Sequence, residues 1–257
     1  MAKDKNGNNT TRRQIIIDKR YVGPPNMTQG GYISGFMAMH LDSDSVAVTM
    51  RNPTPMGKPL ALDTSAPDLV LLYDGDKLLN EARPVDLELE IPEPISLEEA
   101  RKASLRHVTE MPYPNCFGCG SGRSEDDGLH LRSGPVQGRN LVAIDWTPRA
   151  AAVRAEEGED VPLPITWSAM ECPVGRALNL EGMKTPEELI LLGRMTTKVI
   201  TRPKAGQKCF IMGWPIERAG RRLEIAGTMH NETGDALVMS RLTFIILKPG
   251  VTYDSFT

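Results

Sequence analysis

Apolar and polar residues alternate along several stretches of the chain, and most of these stretches end at Gly, Pro or Asp turns. A period of two is the pattern of a β-strand with one buried face. In the first part of the sequence it predicts strands near 14–22, 45–52, 58–64, 68–73 and 77–91. In the second part it predicts strands near 139–147, 190–201, 207–217, 221–231 and 235–247. Because short turns join many of these strands, we expect antiparallel pairing.

Two helices interrupt this pattern. Residues 30–41 are apolar on nearly every side, which is typical of a buried helix. A second helix is expected within 166–181, although Pro173 must then either kink it or lie in its first turn. An antiparallel sheet with one apolar face can wrap around such helices.

The same order of strand, helix and several strands occurs twice. The hairpin sequence DGDKLL at 74–79 is echoed by TGDALV at 233–238. We therefore predict a duplicated chain, although chance agreement of a few Gly and Pro positions is the alternative. Between the halves, Ser96 followed by Glu99 has the form of a capping box and predicts a short linker helix. The predicted divisions are a disordered lead-in at 1–13, a first half at 14–92, a linker at 93–111, a second half at 112–248 and a tail at 249–257.

Composition narrows the classes of protein that fit. At 257 residues the chain can bury a substantial core, and its net charge of −3 gives no indication of nucleic-acid binding. No apolar run approaches the roughly 20 residues that span a bilayer. The polar start, without the apolar core of a signal peptide, leads us to expect a cytoplasmic protein.

Several motifs resemble those of the hotdog-fold acyl-CoA thioesterases. In the second half these are CFGCGSGRSEDDGLHLR at 116–132, WSAMECP at 167–173 and LLGRMTTKV at 191–199; in the first half it is QGGYISG at 29–35. The resemblance implies an α+β double hotdog, in which two antiparallel sheets each wrap around a central apolar helix. It also implies a hydrolase of acyl-CoA or acyl-carrier thioesters that needs no cofactor. Because two fused halves mimic a dimer, further association into a homo-oligomer is an additional expectation.

The pair Gly30 and Gly31 opens the first helix. Amides at a helix start have no partner within the helix, and the helix dipole favours negative charge there. Since glycine has no side chain to block approach, these two amides are candidate donors to a thioester carbonyl. Gln29, directly before them, is a candidate for orienting substrate or water. The simpler alternative is that the glycines only allow the helix to pack closely.

Glu171 is the candidate catalytic carboxylate, because it stands between Met170 and Cys172, where apolar neighbours would make it a better base. The alternative is a surface carboxylate that is solvated or paired with Arg176. The first helix has no carboxylate and the second half has no Gly-Gly pair, so we predict one site shared by both halves. In related hotdog dimers, likewise, the helix-start amide and the carboxylate come from different partners. The candidate substrate-binding residues are Trp167, His40 and Arg176, the last as one of several cations able to meet coenzyme A phosphates.

Other chemistries are disfavoured. Cys116 and Cys119 form a C-x-x-C motif, but a second pair is missing, because Cys172 and Cys209 stand alone in the sequence. We therefore expect this motif to form a tight turn rather than a zinc site or a redox pair. A hotdog hydratase would need an Asp and a His where Asn26 and Gly31 stand. The rival hypothesis is a non-catalytic acyl-CoA-binding or assembly protein on the same scaffold.

Overall fold

The computed structural model describes residues 12–107, 113–180 and 182–256. Most of the predicted lead-in at 1–13 and part of the predicted linker therefore lie outside the described residues. The first half contains one helix, α1 (Gly30–Ala38), after its first strand. Its five strands are β1 (Arg13–Ile16), β2 (Ser45–Met50), β3 (Pro59–Ala66), β4 (Leu69–Asp74) and β5 (Lys77–Pro84).

The second half likewise has strands, then helix, then four strands, and its last four strands are longer than those of the first half. Its helices are α3 (Ala150–Val153) and α4 (Leu163–Gly175), and the helix between the halves is α2 (Leu97–Ser104). Its strands are β6 (Gly134–Pro135), β7 (Val142–Trp146), β8 (Ile190–Val199), β9 (Cys209–Ala219), β10 (Arg222–Asn231) and β11 (Ala236–Ile246). Short 3-10 turns lie at Lys19–Tyr21, Arg176–Asn179 and Tyr253–Phe256.

The strands of both halves form one continuous sheet. In the described residues it has eleven strands in the order β1-β3-β4-β5-β2-β8-β11-β10-β9-β7-β6, with antiparallel neighbours throughout. The two predicted sheets are joined edge to edge by β2 and β8, where Val46 lies opposite Thr197. Pairing these two strands removes two open edges that would otherwise expose unpaired backbone groups.

Helices α1 and α4 pack against each other and against this sheet. The contact is close because α1 presents glycines to α4. A Cβ added at Gly31 would lie 2.8 Å from the carbonyl oxygen of Trp167, and one at Gly35 would lie 2.7 Å from Cα of Pro164. Gly31 and Gly35 therefore allow this close packing of the two helices. It brings the start of α1 beside the second half of α4.

Several element boundaries differ from those predicted. Strand β5 ends at Pro84 rather than continuing to 91, because its partner β2 begins at Ser45 and offers no further residues to pair with. The alternating residues Leu89 and Ile91 instead pack against a second apolar cluster that includes α2. Strand β1 is shorter than predicted, since the 3-10 turn follows it.

Helix α4 begins earlier than predicted, with Pro162 as its N-cap. Pro173 lies inside α4, so the alternative that the helix starts at that proline is wrong. The short elements β6 and α3 were not anticipated. In the part of the chain that the structure describes, no helix combines the length and apolarity needed to cross a membrane.

Candidate active site

Gln29 fixes the start of α1 as its N-cap residue. Its side-chain Oε1 accepts hydrogen bonds from the amide of Tyr32 at 2.6 Å and from Ser168 Oγ at 2.8 Å. Its Nε2 donates to the carbonyl oxygen of Ser168 at 3.3 Å and to Cys172 Sγ at 3.6 Å. Gln29 is only 1% exposed, so its amide is held by the protein. The structure thus places this residue between the two helices, where it aligns α1 with α4.

Glu171 lies at the N-terminus of α1, although it belongs to the other half of the chain. The Gly31 amide donates to its carboxylate at 2.6 Å. A Cβ added at Gly30 would lie 3.0 Å from the other carboxylate oxygen, so only glycine fits here without displacement. The structure brings together all four candidate catalytic residues of the sequence analysis: Gln29, Gly30, Gly31 and Glu171. It differs in one respect: the Gly31 amide is occupied by the carboxylate rather than free for a ligand.

The surroundings of Glu171 change its acidity. Burial raises the pKa of this carboxyl to about 8, because the charged form loses its hydration. The amides of Gly31 and Gly30 act in the opposite direction by stabilising the carboxylate, while the Cys116 sulfur adds to the rise. The group is therefore more basic than an ordinary glutamate despite its position at a helix N-terminus.

Two cavities meet at Glu171. The first, of about 210 Å³, is mainly apolar, and Gly30 and Arg51 lie on its wall. The second, of about 260 Å³, is lined by Gln29 and by the thiols near the C-x-x-C motif. Both are lined by Glu171 and by Leu192. The Glu171 carboxylate therefore lies at the boundary between the two cavities.

The structure separates the three predicted substrate-binding residues. Arg176 follows α4 and lines the second cavity. Trp167 is 1% exposed and lies in the interface between α1 and α4, beside a different surface cavity. His40 lies beyond the opposite end of α1, where its ring contacts Phe36 at a centroid distance of 5.3 Å. Burial, with a contribution from Arg13, lowers the pKa of His40. Neither Trp167 nor His40 lines the two cavities at Glu171. Their positions therefore do not support a role in binding a substrate there.

Sequence analysis missed a cluster of three cysteines beside Glu171. The Sγ atoms of Cys116, Cys119 and Cys172 all lie within 4.8 Å of one another. The interpretation of Cys172 as isolated is therefore wrong. Helix α4 carries this residue to the C-x-x-C loop, and Gly118 has no side chain to keep them apart. A contact between residues so distant in sequence leaves no periodic signal; the only hint was a C-x-x-C motif and a further Cys next to the candidate carboxylate.

A continuous antiparallel sheet, wrapped around two mutually packed apolar helices that each follow the first strands of one half, defines the double hotdog fold. No protein-family model and no curated protein matches the sequence. Solved structures do match over nearly the whole chain. They include a tesB protein of Mycobacterium avium subspecies paratuberculosis, with 17% identity, coverage of 92% of this chain and 93% of that one, and a TM-score of 0.58.

Two further structures have the same extent of similarity. A hot dog-fold protein of unknown function from Alicyclobacillus acidocaldarius has 10% identity, coverage of 93% and 94%, and a TM-score of 0.60. The acyl-CoA thioesterase II TesB2 of Mycobacterium marinum has 10% identity, coverage of 88% and 92%, and a TM-score of 0.56. At these identities the similarity concerns the fold. The predicted α+β double hotdog is thereby confirmed.

Proposed function

We propose that the protein hydrolyses thioesters of coenzyme A or of an acyl carrier. The observation that carries this proposal is the contact between Glu171 of the second half and the Gly31 amide of the first, at the junction of two cavities. The name acyl-CoA thioesterase II belongs to one protein of similar fold and supports the same reaction class.

The reaction needs a site for the negative charge that develops on the carbonyl oxygen. In our proposal the carbonyl oxygen approaches the amide of Gly30, the first residue of α1, and replaces its contact with Glu171, while the Gly31 amide continues to hold the carboxylate. The helix contributes roughly half a positive charge at this end, so the oxygen is stabilised as it becomes an anion. Gly30 lines the first cavity, and a side chain at this position would meet Leu192 and Glu171.

Glu171 then acts on the same carbonyl carbon. Either it removes a proton from a water molecule, which attacks the carbon, or it attacks directly and the resulting anhydride is hydrolysed. In both routes the C–S bond breaks, and the departing thiolate becomes a thiol by taking up a proton that originates from water. Glu171 returns that proton in the first route, and hydrolysis of the anhydride releases it in the second. The carboxylate is positioned for either route because the Gly31 amide fixes one of its oxygens.

The two cavities correspond to the two arms of a thioester. The first is lined by apolar side chains and suits the acyl chain: Met27, Ile33, Met50, Leu192 and Ile245. The second contains Arg176 and Lys184, whose positive charges suit the phosphates of coenzyme A. Leu192 lines both cavities and lies beside Gly30 at the start of α1.

A thiol-release assay over short-, medium- and long-chain acyl-CoAs tests the proposal. Glu171→Gln should lower kcat/KM by about 10²- to 10⁴-fold, because it removes the base but keeps a similar shape. Glu232→Gln is the matched control, since Glu232 is exposed in the turn between β10 and β11. No thiol release across the panel would reject hydrolysis, and equal rates in the wild type and Glu171→Gln would reject the catalytic role of Glu171.

One observation favours a second candidate, a non-catalytic acyl-CoA-binding protein. The Gly31 amide is already engaged by Glu171, so fewer helix-start donors stand free for a carbonyl. Isothermal titration with acyl-CoA separates the two functions. Tight binding without thiol release would support the binding protein, whereas turnover lost in Glu171→Gln with binding retained would support the hydrolase.

A further inference from the structure

The three thiols beside Glu171 form a compact group inside the protein. Cys116 and Cys119 come from the loop that precedes β6 and are buried, whereas Cys172 comes from α4 and is half-buried. The sulfur atoms of Cys116 and Cys172 are 3.8 Å apart, and all three sulfurs lie within 4.8 Å of one another. The proposed hydrolysis uses none of them.

We propose that Cys116, Cys119 and Cys172 bind one Zn²⁺ ion through their sulfur atoms, with the fourth coordination position facing the cavity that contains Glu171. Zinc–sulfur bonds of about 2.3 Å in a tetrahedral site place neighbouring sulfurs roughly 3.8 Å apart. The distance between Cys116 and Cys172 already has this value. A covalent disulfide would require about 2.0 Å and a different approach of the two side chains.

The backbone around the thiols is constrained to present them in this way. A Cβ at Gly118 would lie 2.5 Å from Cys172 Sγ, and at Gly120 one would meet the carbonyl oxygens of Pro114 and Cys116. The Gly120 amide donates to the Cys116 carbonyl oxygen at 2.8 Å, which closes the turn. The two glycines thus permit a tight loop whose sulfurs converge without a change of backbone.

Hydrogen-bond donors surround the sulfur atoms and favour their role as metal ligands. The amides of Cys119 and Gly118 are directed toward the Cys116 sulfur, and the Cys116 and Cys172 sulfurs lie within hydrogen-bonding distance of each other at 3.8 Å. Gln29 Nε2 donates to Cys172 Sγ from the other side. Donors of this kind orient thiolate ligands and spread their charge.

The donor set and the cavity select the class of metal. Three soft thiolates favour Zn²⁺ over the hard cations Mg²⁺ and Ca²⁺, which require oxygen ligands. Zinc sites with three protein ligands keep a fourth position for water or another small ligand. All three cysteines line the second cavity, so that position is accessible from it. The inference does not depend on thioester hydrolysis.

Metal analysis and Co²⁺ substitution test the proposal on the intact chain. Protein purified without chelators should contain one zinc per chain by mass spectrometry of the metal. After removal of the zinc, Co²⁺ should restore one ion per chain, with thiolate-to-metal charge-transfer absorption and tetrahedral visible bands. The variants expected to lose affinity for Co²⁺ are Cys116→Ser, Cys119→Ser and Cys172→Ser. Each should bind Co²⁺ at least about tenfold more weakly, because loss of a group that only supports a metal ligand already costs about tenfold in affinity.

Cys209→Ser is the matched control, because Cys209 is also buried but lies in β9 outside the cluster. It should bind Co²⁺ like the wild type. If the cluster variants do not fold, X-ray absorption of the wild-type zinc decides, with three sulfurs near 2.3 Å as the expected shell. The proposal is overturned if the wild type binds neither metal, if the zinc has only oxygen and nitrogen neighbours, or if protein prepared without oxidants contains a Cys116–Cys172 disulfide.

Discussion

Gly35 is the position where close helix packing can be tested most directly. A Cβ added there would lie 2.7 Å from Cα of Pro164, 2.8 Å from Cβ of Trp167 and 2.9 Å from the carbonyl oxygen of Leu163. All are shorter than the 3.4 Å at which ordinary contact begins, and two belong to backbone atoms that cannot rotate away. In Gly35→Ala, therefore, α1 and α4 must move apart.

Such overpacking costs about 1–3 kcal/mol, and the gain in helix propensity offsets about 1 kcal/mol. Since the clashes involve backbone, we expect the upper part of this range and a net loss of about 2 kcal/mol. For a chain of this size that corresponds to a fall in Tm of about 4–8 °C. The assay is thermal unfolding followed by circular dichroism, with urea unfolding as a second measure.

Gly175→Ala is the control for this experiment. Its added Cβ meets only Cζ of Phe244, at 3.6 Å, which is ordinary contact. This variant should be as stable as the wild type or slightly more stable. An unchanged Tm in Gly35→Ala, or an equal fall in both variants, would refute the packing argument. A shifted α1 would also lengthen the bond from the Gly31 amide to Glu171, so activity should fall together with stability.

Three further predictions concern the cavities and an ion pair. Arg176→Ala should raise KM for acyl-CoA about tenfold, as expected for a lost charge-assisted hydrogen bond. It should leave KM for an acyl-pantetheine thioester unchanged, because that substrate lacks the phosphates. Equal effects on both substrates would contradict the placement of the phosphates in the second cavity. Ile245→Trp should narrow the first cavity, which Ile245 lines, and shift turnover in the acyl-CoA panel toward shorter chains. An unchanged chain-length profile would count against that cavity as the acyl site. The guanidinium of Arg20, which donates to Asp127 at 2.8 Å, lowers the pKa of this carboxyl. Because the folded pKa lies below the unfolded value of about 3.9, the stabilisation is present above that pH and is lost as the pH falls through the folded pKa. Asp127→Asn should therefore be less stable than the wild type at neutral pH, the difference in urea midpoint narrowing below about pH 4; a constant difference would refute it.

The sequence was sufficient for most of the fold because periodicity reports burial directly. The strands β2, β3, β4 and β8 to β11 lie close to their predicted positions, and the apolar segment that opens with Gly30 is a helix. Where prediction failed, partner strands decided the outcome. The alternation through Leu89 continues past Pro84, but no strand remains there to pair with it. Residues such as Leu89 and Ile91, buried against the second apolar cluster, produce the same alternation of apolar and polar positions as a strand in a sheet.

The candidate site was predictable only in part. Gly31 and Glu171 could be selected because each half contained one component of a site and lacked the other. The occupation of the Gly31 amide by the carboxylate was not foreseen, since it depends on a distance between helices. The convergence of Cys172 with Cys116 depends on the same approach of α4 to a distant loop. Contacts of this kind arise from three-dimensional packing and have no local sequence signature.

The pairing of β2 with β8 affects which residues each half of the chain must keep as its sequence changes. It makes one polypeptide behave as a heterodimer with permanently attached subunits. Neither subunit must retain a complete set of reactive groups, because its neighbour is always present in the same register. We therefore expect the halves, produced as separate chains, to regain activity only after mixing, and a single backbone break between them to be tolerated.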